Sequence, residues 1–243
     1  MDNSQLHPLE VNPKTGEPFL HLLSHKNIIL TPPRLSDGPA MIPLFNDERV
    51  YHWLSSPPYP YLPEHAEWWL NQVKPVSDKL LMELEAARED PTPKIVDGCP
   101  VCIIREVKED GTDIFLGSID LSLAEQPWEL EGTGRISQGT PRRDPRDPDI
   151  WTLGDYLAPS HHRQGIMSDA LQTLLHQWGI PRMGVRRMVV TTLAGNKGGV
   201  GVFEKNGFKF RKTVDDVLEV RGTMRGVHVL EWTLPVDEEK VVV

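Results

Sequence analysis

The sequence predicts an α/β domain, and three observations carry that prediction. Residues 166–178 repeat apolar side chains at helical spacing, residues 185–193 form a β-branched run typical of a strand, and segments of the two kinds alternate along the chain. The chain has 243 residues, of which 39% are hydrophobic and 25% are charged. This length and composition suit one sizeable α/β domain or two small ones.

Charge and composition narrow the range of partners. A net charge of −9 disfavours nonspecific attraction to nucleic acid or to an anionic membrane, and it mildly favours a cationic substrate. The N-terminus lacks a basic stretch followed by an apolar run, and the chain has no long apolar window. We therefore expect no nucleic-acid partner, no membrane partner and a cytoplasmic or nuclear location. The oligomeric state stays open.

The two cysteines, Cys99 and Cys102, form a C-x-x-C pair. Such a pair is compatible with a redox or zinc site. A zinc site needs more ligands than the pair offers, and residues three apart in an extended segment point to opposite faces. We expect two ordinary thiols in a reducing compartment and no bound metal.

The first 26 residues are mixed in character and contain prolines without a sustained period. We expect a leader that drapes over the domain or stays mobile, with ordered structure beginning near Asn27. Residues 28–30 suit a first strand because two prolines soon follow. Residues 36–37 then offer a cap for one short helix, and Asp47 offers a cap for a second.

A loop dense in proline and tyrosine occupies residues 55–63, and a helical period with two tryptophans resumes over residues 64–73. Core and loop packing is the ordinary role of such aromatics, and lining of a small-ligand pocket is the alternative. Residues 101–107 and 114–121 follow as the strands of a predicted hairpin, which the turn at residues 109–111 joins.

Residues 124–149 are rich in Gly, Pro, Arg and Asp and include the run P-R-R-D-P-R-D-P. Prolines cannot sustain a strand ladder, and acidic residues alternate with the arginines. This pattern indicates a solvated loop insertion rather than a nucleic-acid patch. The insertion interrupts a predicted domain over residues 27–236, and residues 237–243 form a short tail.

The second half of the chain has the clearest pattern. Residues 150–157 predict a strand, residues 158–164 a turn, and residues 166–178 a helix that Gly179 and Pro181 end.

After the strand at residues 185–193, residues 196–206 predict another helix, which Gly207 stops in a left-handed cap position. Residues 208–214 and 227–234 supply two final strands.

The joint between the strand at 150–157 and the following helix predicts an anion site. A helix that starts near Ile166 leaves its first backbone N–H groups unpaired and directed out along the axis. Gly165 lets a pyrophosphate approach the backbone, while the helix dipole and Arg163 add positive potential.

Residues 157–171, L-A-P-S-H-H-R-Q-G-I-M-S-D-A-L, resemble the coenzyme A signature Q/R-x-x-G-x-G/A of the GNAT acetyltransferases. Gly165 matches its first glycine, whereas His162 and Met167 replace the Gln/Arg and the Gly/Ala. Residues 196–208 resemble the block N-x-x-S-x-x-V-x-E-K-x-G-F of the ribosomal-protein N-acetyltransferase branch, with Gly199 in place of the serine. Residues 57–70 resemble the segment that this branch places beside its acceptor site.

This resemblance implies a GNAT fold, in which helices flank a mixed, twisted and splayed central sheet. It also implies acetyl-coenzyme A as cosubstrate, with the pantetheine arm between the strands at 150–157 and 185–193. Asn196 would bond the pantetheine amide or order the second helix. The residues implied to bind the cosubstrate are Leu157, His162, Arg163, Gln164, Gly165, Ile166, Met167, Ser168, Asn196, Gly199 and Phe203.

The implied reaction is direct attack of a neutral amine on the thioester, which needs a base and an oxyanion donor. Many family members carry a tyrosine acid where this chain has Phe203, so that acid is absent here. Asp155 is the first candidate base, Glu64 and His65 are others, and a purely structural role for Asp155 stays open.

The expected acceptor is a small-molecule amine or a peptide N-terminus. We expect it between the aromatic loop and the hairpin near residues 221–228, where Tyr59, Tyr61 and Trp68 offer flat surfaces for an aliphatic chain or a cation. The alternative function is a noncatalytic, regulatory module that binds coenzyme A. A P-loop kinase is excluded because residues 195–199 lack the G-K-[S/T] ending.

Overall fold

A computed structural model describes residues 3–124 and 150–235. Most of the predicted insertion and the whole C-terminal tail lie outside these residues. The described residues divide into two compact units, one made of residues 3–120 and 154–184, the other of residues 121–124, 150–153 and 185–235.

Within the described residues, nine strands make up one sheet. In chain order they are β1 (Glu10–Val11), β2 (Pro18–His21), β3 (Ile28–Thr31), β4 (Ile103–Val107), β5 (Asp113–Leu123), β6 (Ile150–Leu157), β7 (Arg187–Leu193), β8 (Lys209–Val220) and β9 (Thr223–Thr233). Their order in the sheet is β1-β2-β3-β4-β5-β6-β7-β9-β8. The β6–β7 pair is parallel, whereas pairs such as β3–β4 and β7–β9 are antiparallel. The predicted mixed sheet flanked by helices is confirmed.

The α-helices are α1 (Gly38–Phe45), α2 (Glu48–Tyr51), α3 (Pro63–Ala86), α4 (Ile166–Leu174), α5 (Ile180–Met183) and α6 (Lys197–Lys205). Of the two predicted aspartate caps, one forms and the other does not. Asp47 caps α2 by accepting a hydrogen bond from the Arg49 N–H. Asp37 makes no such bond to α1, because its carboxylate is engaged elsewhere. Among the described residues, no helix combines the length and the apolar character that a bilayer crossing requires.

A buried ionic cluster engages Asp37 in the first unit. The guanidinium of Arg105, on β4, donates to both carboxylate oxygens of Asp37 at 2.8 Å and to the Thr31 hydroxyl at 2.7 Å. Asp37 also accepts from the Arg34 N–H. Arg105 also lies 3.5 Å from the Asp113 carboxylate. Since Arg105 and Asp37 are 2% and 4% exposed, removal of Arg105 would leave the Asp37 carboxylate buried without that ion pair, which costs about 3–5 kcal/mol.

An aromatic and aliphatic core joins α1 to α3. Met41 and Phe45 on α1 pack with Tyr61, Ala66 and Leu70. The rings of Phe45 and Tyr61 lie 4.5 Å apart, and the Tyr156 ring on β6 packs against Phe45 at the same separation.

Strand β6 has the predicted bounds, but the helix that begins with α4 does not end where the sequence predicts. The chain continues through a π-helical turn, Leu175–Gly179, into α5 and stops at Gly184, which has φ +68°. The predicted end at Gly179 and Pro181 is therefore wrong. The wider π turn accommodates Pro181, whose ring would clash with the carbonyl four residues earlier in a regular α-helix.

The residues before Asn27 carry secondary structure, contrary to the expectation that order begins there. β1 and β2 lie in this segment and pair with each other, and β2 pairs with β3. The Gln5 side chain donates to the carbonyls of Asp90 and Thr92. The buried Arg182 guanidinium donates to the Gln5 carbonyl at 2.6 Å. These long-range bonds, invisible to local periodicity, hold the segment.

In the second unit, β7 pairs with β9, and β8 pairs with β9 in a long hairpin. Arg221 and Gly222, both with positive φ, form its turn. Asn196 and Asn206 flank α6, and Gly207 follows at φ +81°, as predicted. The parallel ladder of β6 and β7 pairs Ile150 with Arg187 and Trp151 with Met188.

We predict that Gly117→Ala destabilises the fold by about 1–3 kcal/mol through overpacking. A methyl group at Gly117, on β5, would lie 2.1 Å from the Tyr156 backbone oxygen, and two adjacent strands cannot separate locally without losing pairing. Urea unfolding would measure the loss. Gly154→Ala is the matched control, because a methyl group at Gly154 meets nothing within 4 Å. Equal stability of the two variants would contradict the prediction.

Candidate active site

The loop between β6 and α4 has an unusual backbone. Arg163 and Gly165 both adopt left-handed conformations, with φ +61° and +82°. Glycine reaches this region freely, whereas a residue with a side chain pays about 1–2 kcal/mol. Backbone turns of this kind direct successive N–H groups into a concavity that binds anions. The strain at Arg163 is therefore a reason to expect function at this loop.

The start of α4 adds further donors. The first helical hydrogen bond runs from the Asp169 N–H to the Gly165 carbonyl at 3.0 Å, so the N–H groups of Ile166 and Met167 have no partner within the helix. The side chains of Ile166 and Met167 are buried, at 2% and 7% exposure. These two residues can therefore meet a ligand only through their backbone, which removes any need for a small residue at Met167.

Two side chains brace the loop from within. The Gln164 amide donates to the Ser160 carbonyl at 2.9 Å. The His162 Nε2 lies 2.8 Å from the Leu157 carbonyl, which can only accept, so this nitrogen carries the proton. His162 thus closes the turn that follows β6. Arg163 is exposed and places its positive charge at the same loop.

Asn196 performs one of the two roles that the sequence left open. Its side chain accepts from the Gly199 N–H and donates to the Thr192 hydroxyl, both at 2.9 Å. A methyl group at Gly199 would lie 2.9 Å from each of the Asn196 and Thr192 polar atoms. Asn196 therefore orders the start of α6, and glycine at position 199 leaves room for that cap.

Phe203, also predicted to bind the cosubstrate, lies in the core. Its side chain is 3% exposed and packs against Phe208, with the ring centroids 5.3 Å apart.

The two candidate bases occupy different environments. Asp155 lies on β6, two residues before Leu157, and desolvation raises the pKa of its carboxyl to about 6 although some of its surface reaches solvent. Glu64 lies exposed in the first turn of α3. Asp155 thus has the more unusual chemistry, with a pKa close to neutrality that suits a general base.

The predicted acceptor residues differ in accessibility. Tyr59 and Trp68 are 51% and 65% exposed, whereas Tyr61 is 4% exposed within the α1–α3 core. The Tyr59 and Tyr51 rings pack against each other in a tilted arrangement, with their centroids 4.4 Å apart. The position of Tyr61 favours the packing alternative, while the Tyr59 and Trp68 side chains lie at the surface.

Cys99 and Cys102 are free, buried thiols, and burial raises the pKa of both. Across residues 3–124 and 150–235, no cluster of three or more His, Cys, Asp or Glu side chains is suited to hold a metal ion.

One residue of this site went unpredicted. His25, before β3, contacts the Gln164 carbonyl through Nε2 at 3.0 Å and Asp169 through Nδ1 at 2.7 Å. Its partners lie 139 and 144 residues away in sequence. No local pattern marks such a contact.

Comparison with known proteins identifies a family model that matches most of the chain. Residues 27–209 match the family model of the acetyltransferase (GNAT) domain. Among curated proteins, no sequence matches significantly.

Solved structures share the fold at low sequence identity. The microcin C7 self-immunity acetyltransferase MccE, in complex with acetyl-CoA and AMP, has a TM-score of 0.58 at 12% identity, covering 86% of this chain and 94% of its own. RimL, a ribosomal L7/L12 α-N-protein acetyltransferase, has a TM-score of 0.58 at 16% identity, covering 93% and 99%. The ribosomal-protein-S5-alanine acetyltransferase from Vibrio fischeri has a TM-score of 0.56 at 14% identity, covering 87% and 95%.

We predict that Asp155→Asn gains stability relative to the parent chain as pH rises from about 4 to about 6. The folded chain binds the Asp155 proton more tightly, with a pKa of about 6, than the unfolded chain, where the aspartate pKa is about 3.9. The stability from this proton is complete below about pH 4 and is lost as pH rises through about 6, whereas asparagine stays neutral throughout.

Urea unfolding across this pH range would measure the difference. Asp47→Asn is the matched control, since hydrogen bonds from Arg49 lower the pKa of Asp47 to about 2 and this carboxyl stays ionised in the folded chain over the range. Parallel curves for the two variants would refute the raised pKa.

Proposed function

The chain belongs to the GNAT acetyltransferase family, and from that membership we propose that it transfers an acetyl group from acetyl-coenzyme A to a primary amine by direct attack. The acceptor class is a small-molecule amine or a protein N-terminus. The observation that carries the proposal is the left-handed loop at Arg163–Gly165 running into the N-terminus of α4. Backbone donors arranged in this way fit the pyrophosphate of the coenzyme.

The donor would be held mainly by backbone. The N–H groups of residues 164–168 would face the pyrophosphate, and Arg163 would add charge from the rim of the loop. The Leu157 backbone would meet the pantetheine and thioester region. MccE in complex with acetyl-CoA and RimL in complex with coenzyme A share this fold, which supports the same donor here. Asn196 and Gly199 would act through the order they give to α6.

The proposed chemical step requires only the amine, the thioester and a base. The neutral amine nitrogen attacks the thioester carbonyl, a C–N bond forms, the C–S bond breaks, and the coenzyme leaves as a thiolate. The proton lost by the amine passes to a base. Asp155, with a pKa of about 6, is ionised at neutral pH and can take that proton directly or through one water. Phe203 cannot protonate the thiolate, so the thiolate would take its proton from solvent.

Acceptor recognition would use the exposed face of α3. Glu64 and Trp68 are four residues apart on this helix, which makes them neighbours on its surface, and both are exposed. A carboxylate beside an indole face suits an alkylammonium, which gains charge pairing and a cation–π contact. Tyr59 would extend this surface from the loop. Glu64 thereby has a binding role in addition to its candidacy as base.

Three residues that depart from the family motifs favour a second candidate function, that of a noncatalytic module. His162 and Met167 depart from the coenzyme A signature, and Phe203 replaces the tyrosine acid. These departures are what a noncatalytic, regulatory binder of coenzyme A would show. Binding without turnover distinguishes that function from catalysis.

We predict that the protein releases free thiol from acetyl-coenzyme A in the presence of at least one amine from a panel of N-terminal peptides, lysine, polyamines and amino acids. A thiol-release assay would measure this activity.

We also predict that Gly165→Val abolishes binding of acetyl-coenzyme A. A β-branched side chain resists the left-handed backbone at φ +82°, and it would extend towards the His25 ring, whose Cε1 lies 3.8 Å from an added methyl group. Calorimetric titration would measure the loss of binding.

Gly111→Val is the matched control for strain, because Gly111 has φ +81° in the turn between β4 and β5. Binding by the parent chain with no thiol release across the panel would support the regulatory function. Unchanged affinity in Gly165→Val would place the donor elsewhere.

We predict that Tyr59→Ala and Trp68→Ala each raise the acceptor KM by about 2- to 30-fold, the range expected for loss of a cation–π contact. The acetyl-coenzyme A KM should not change, since neither ring belongs to the donor loop. Initial rates with acceptor varied at saturating donor would measure this.

Met82→Ala is the matched control on the same helix, since Met82 is 72% exposed. Tyr61→Ala should lower stability, as expected for a core residue. An unaltered acceptor KM in folded Tyr59→Ala and Trp68→Ala would refute the acceptor surface.

A further inference from the structure

The turn before β3 is fastened to the helix that carries the proposed donor site. The Asp169 carboxylate, in the first turn of α4, accepts the backbone N–H groups of Ser24 at 2.9 Å and His25 at 2.8 Å. One turn further along, the Thr173 hydroxyl accepts the Leu23 N–H at 3.1 Å. Residues 23–25 thus lie against α4 through three backbone bonds.

The His25 ring continues from this anchor to the donor loop. Its Nδ1 lies 2.7 Å from Asp169 Oδ2, and its Nε2 lies 3.0 Å from the Gln164 carbonyl oxygen. The ring also lies beside Gly165, since a methyl group there would be 3.8 Å from the His25 Cε1. The Asp169 side chain is 5% exposed and the His25 side chain 30% exposed, so the Nδ1 contact is partly buried, whereas the Nε2 contact lies at the surface.

Both ring nitrogens of His25 face acceptors. A carbonyl oxygen only accepts, and the Asp169 carboxylate, which already receives two N–H groups, also accepts. Since the Gln164 carbonyl cannot donate, the contact at Nε2 is a hydrogen bond only when Nε2 carries a proton and donates it.

The orientation of the Gln164 carbonyl determines the orientation of the adjacent peptide in the loop. Gln164 lies between Arg163 and Gly165, the two residues with left-handed backbone. Rotation of the Gln164–Gly165 peptide would move its carbonyl off the His25 ring and turn the Gly165 N–H away from the concavity. A donor fixed on that oxygen therefore fixes the direction of the adjacent N–H.

We propose that His25, oriented by Asp169, is a positioning residue that holds the Gln164 carbonyl so that the donor loop presents its N–H groups to the pyrophosphate of acetyl-coenzyme A. The proposal rests on the proposed function of this loop. His25 touches neither the acetyl group nor the acceptor, so its loss should weaken donor binding and leave the chemical step alone.

Three substitutions separate the two contacts of the ring. Glutamine places an amide near the position of Nε2, so His25→Gln keeps a donor for the Gln164 carbonyl. Asparagine places its amide near Nδ1, so His25→Asn keeps only the contact with Asp169, and His25→Ala keeps neither. His176→Ala is the control for loss of a histidine, since His176 is exposed beyond α4.

We expect His25→Ala and His25→Asn to raise the Kd for acetyl-coenzyme A about tenfold, in line with loss of one hydrogen bond. His25→Gln should stay within about threefold of the parent chain. The kcat at saturating donor and the acceptor KM should be unchanged in all three. With S-acetylpantetheine, which lacks the pyrophosphate, kcat/KM should not respond to any of them.

The outcomes distinguish this inference from the proposed function. If the parent chain fails to bind acetyl-coenzyme A, the proposed function is refuted, and the role of His25 is refuted with it. If the parent binds while the three variants bind equally well, only the role of His25 is refuted. An equal loss with S-acetylpantetheine would also overturn it, because that result indicates general damage to the fold.

Discussion

The left-handed backbone at Arg163 and Gly165 is the constraint on which the proposed site depends. It turns the chain from β6 into α4 and directs N–H groups towards one concavity. A site made of backbone donors places few demands on side chains. Met167 points into the core, and His162 bonds the Leu157 carbonyl. The two departures from the coenzyme A signature are thus compatible with an intact anion site.

Such a loop needs external support because one of its left-handed residues is an arginine. Side chains supply that support by bonding three carbonyls: His162 to Leu157, Gln164 to Ser160 and His25 to Gln164. Each bond fixes a peptide plane before any ligand arrives. Preorganisation of this kind lowers the entropic cost of binding. These bonds would make the loop a rigid receptor for the proposed donor.

The sequence was most informative where a structural feature has a local pattern. Strand β6 has the predicted bounds, and Asn196 and Gly207 flank α6 as expected, because alternation, caps and left-handed glycines are local signals. The helix that begins with α4 continues past Pro181 because a π turn relieves the steric clash of the proline ring, and hydrophobic periodicity does not predict such a turn. Order before Asn27, and the contact of His25 with Asp169, arise from bonds across the chain that only the folded structure brings together.

The aromatic loop shows the same limit on the acceptor side. An irregular segment has no period, so its sequence cannot tell which of its tyrosines is buried. One side chain decides it: the Asn46 amide accepts the Tyr61 N–H at 2.9 Å and donates to the Tyr61 carbonyl at 2.7 Å. This bond pair fixes Tyr61 in the core and leaves Tyr59 exposed. In the proposed function the donor is held by backbone and the acceptor by exposed side chains, so substitutions at Tyr59 or Trp68 would alter acceptor choice without disturbing the loop proposed to hold the coenzyme.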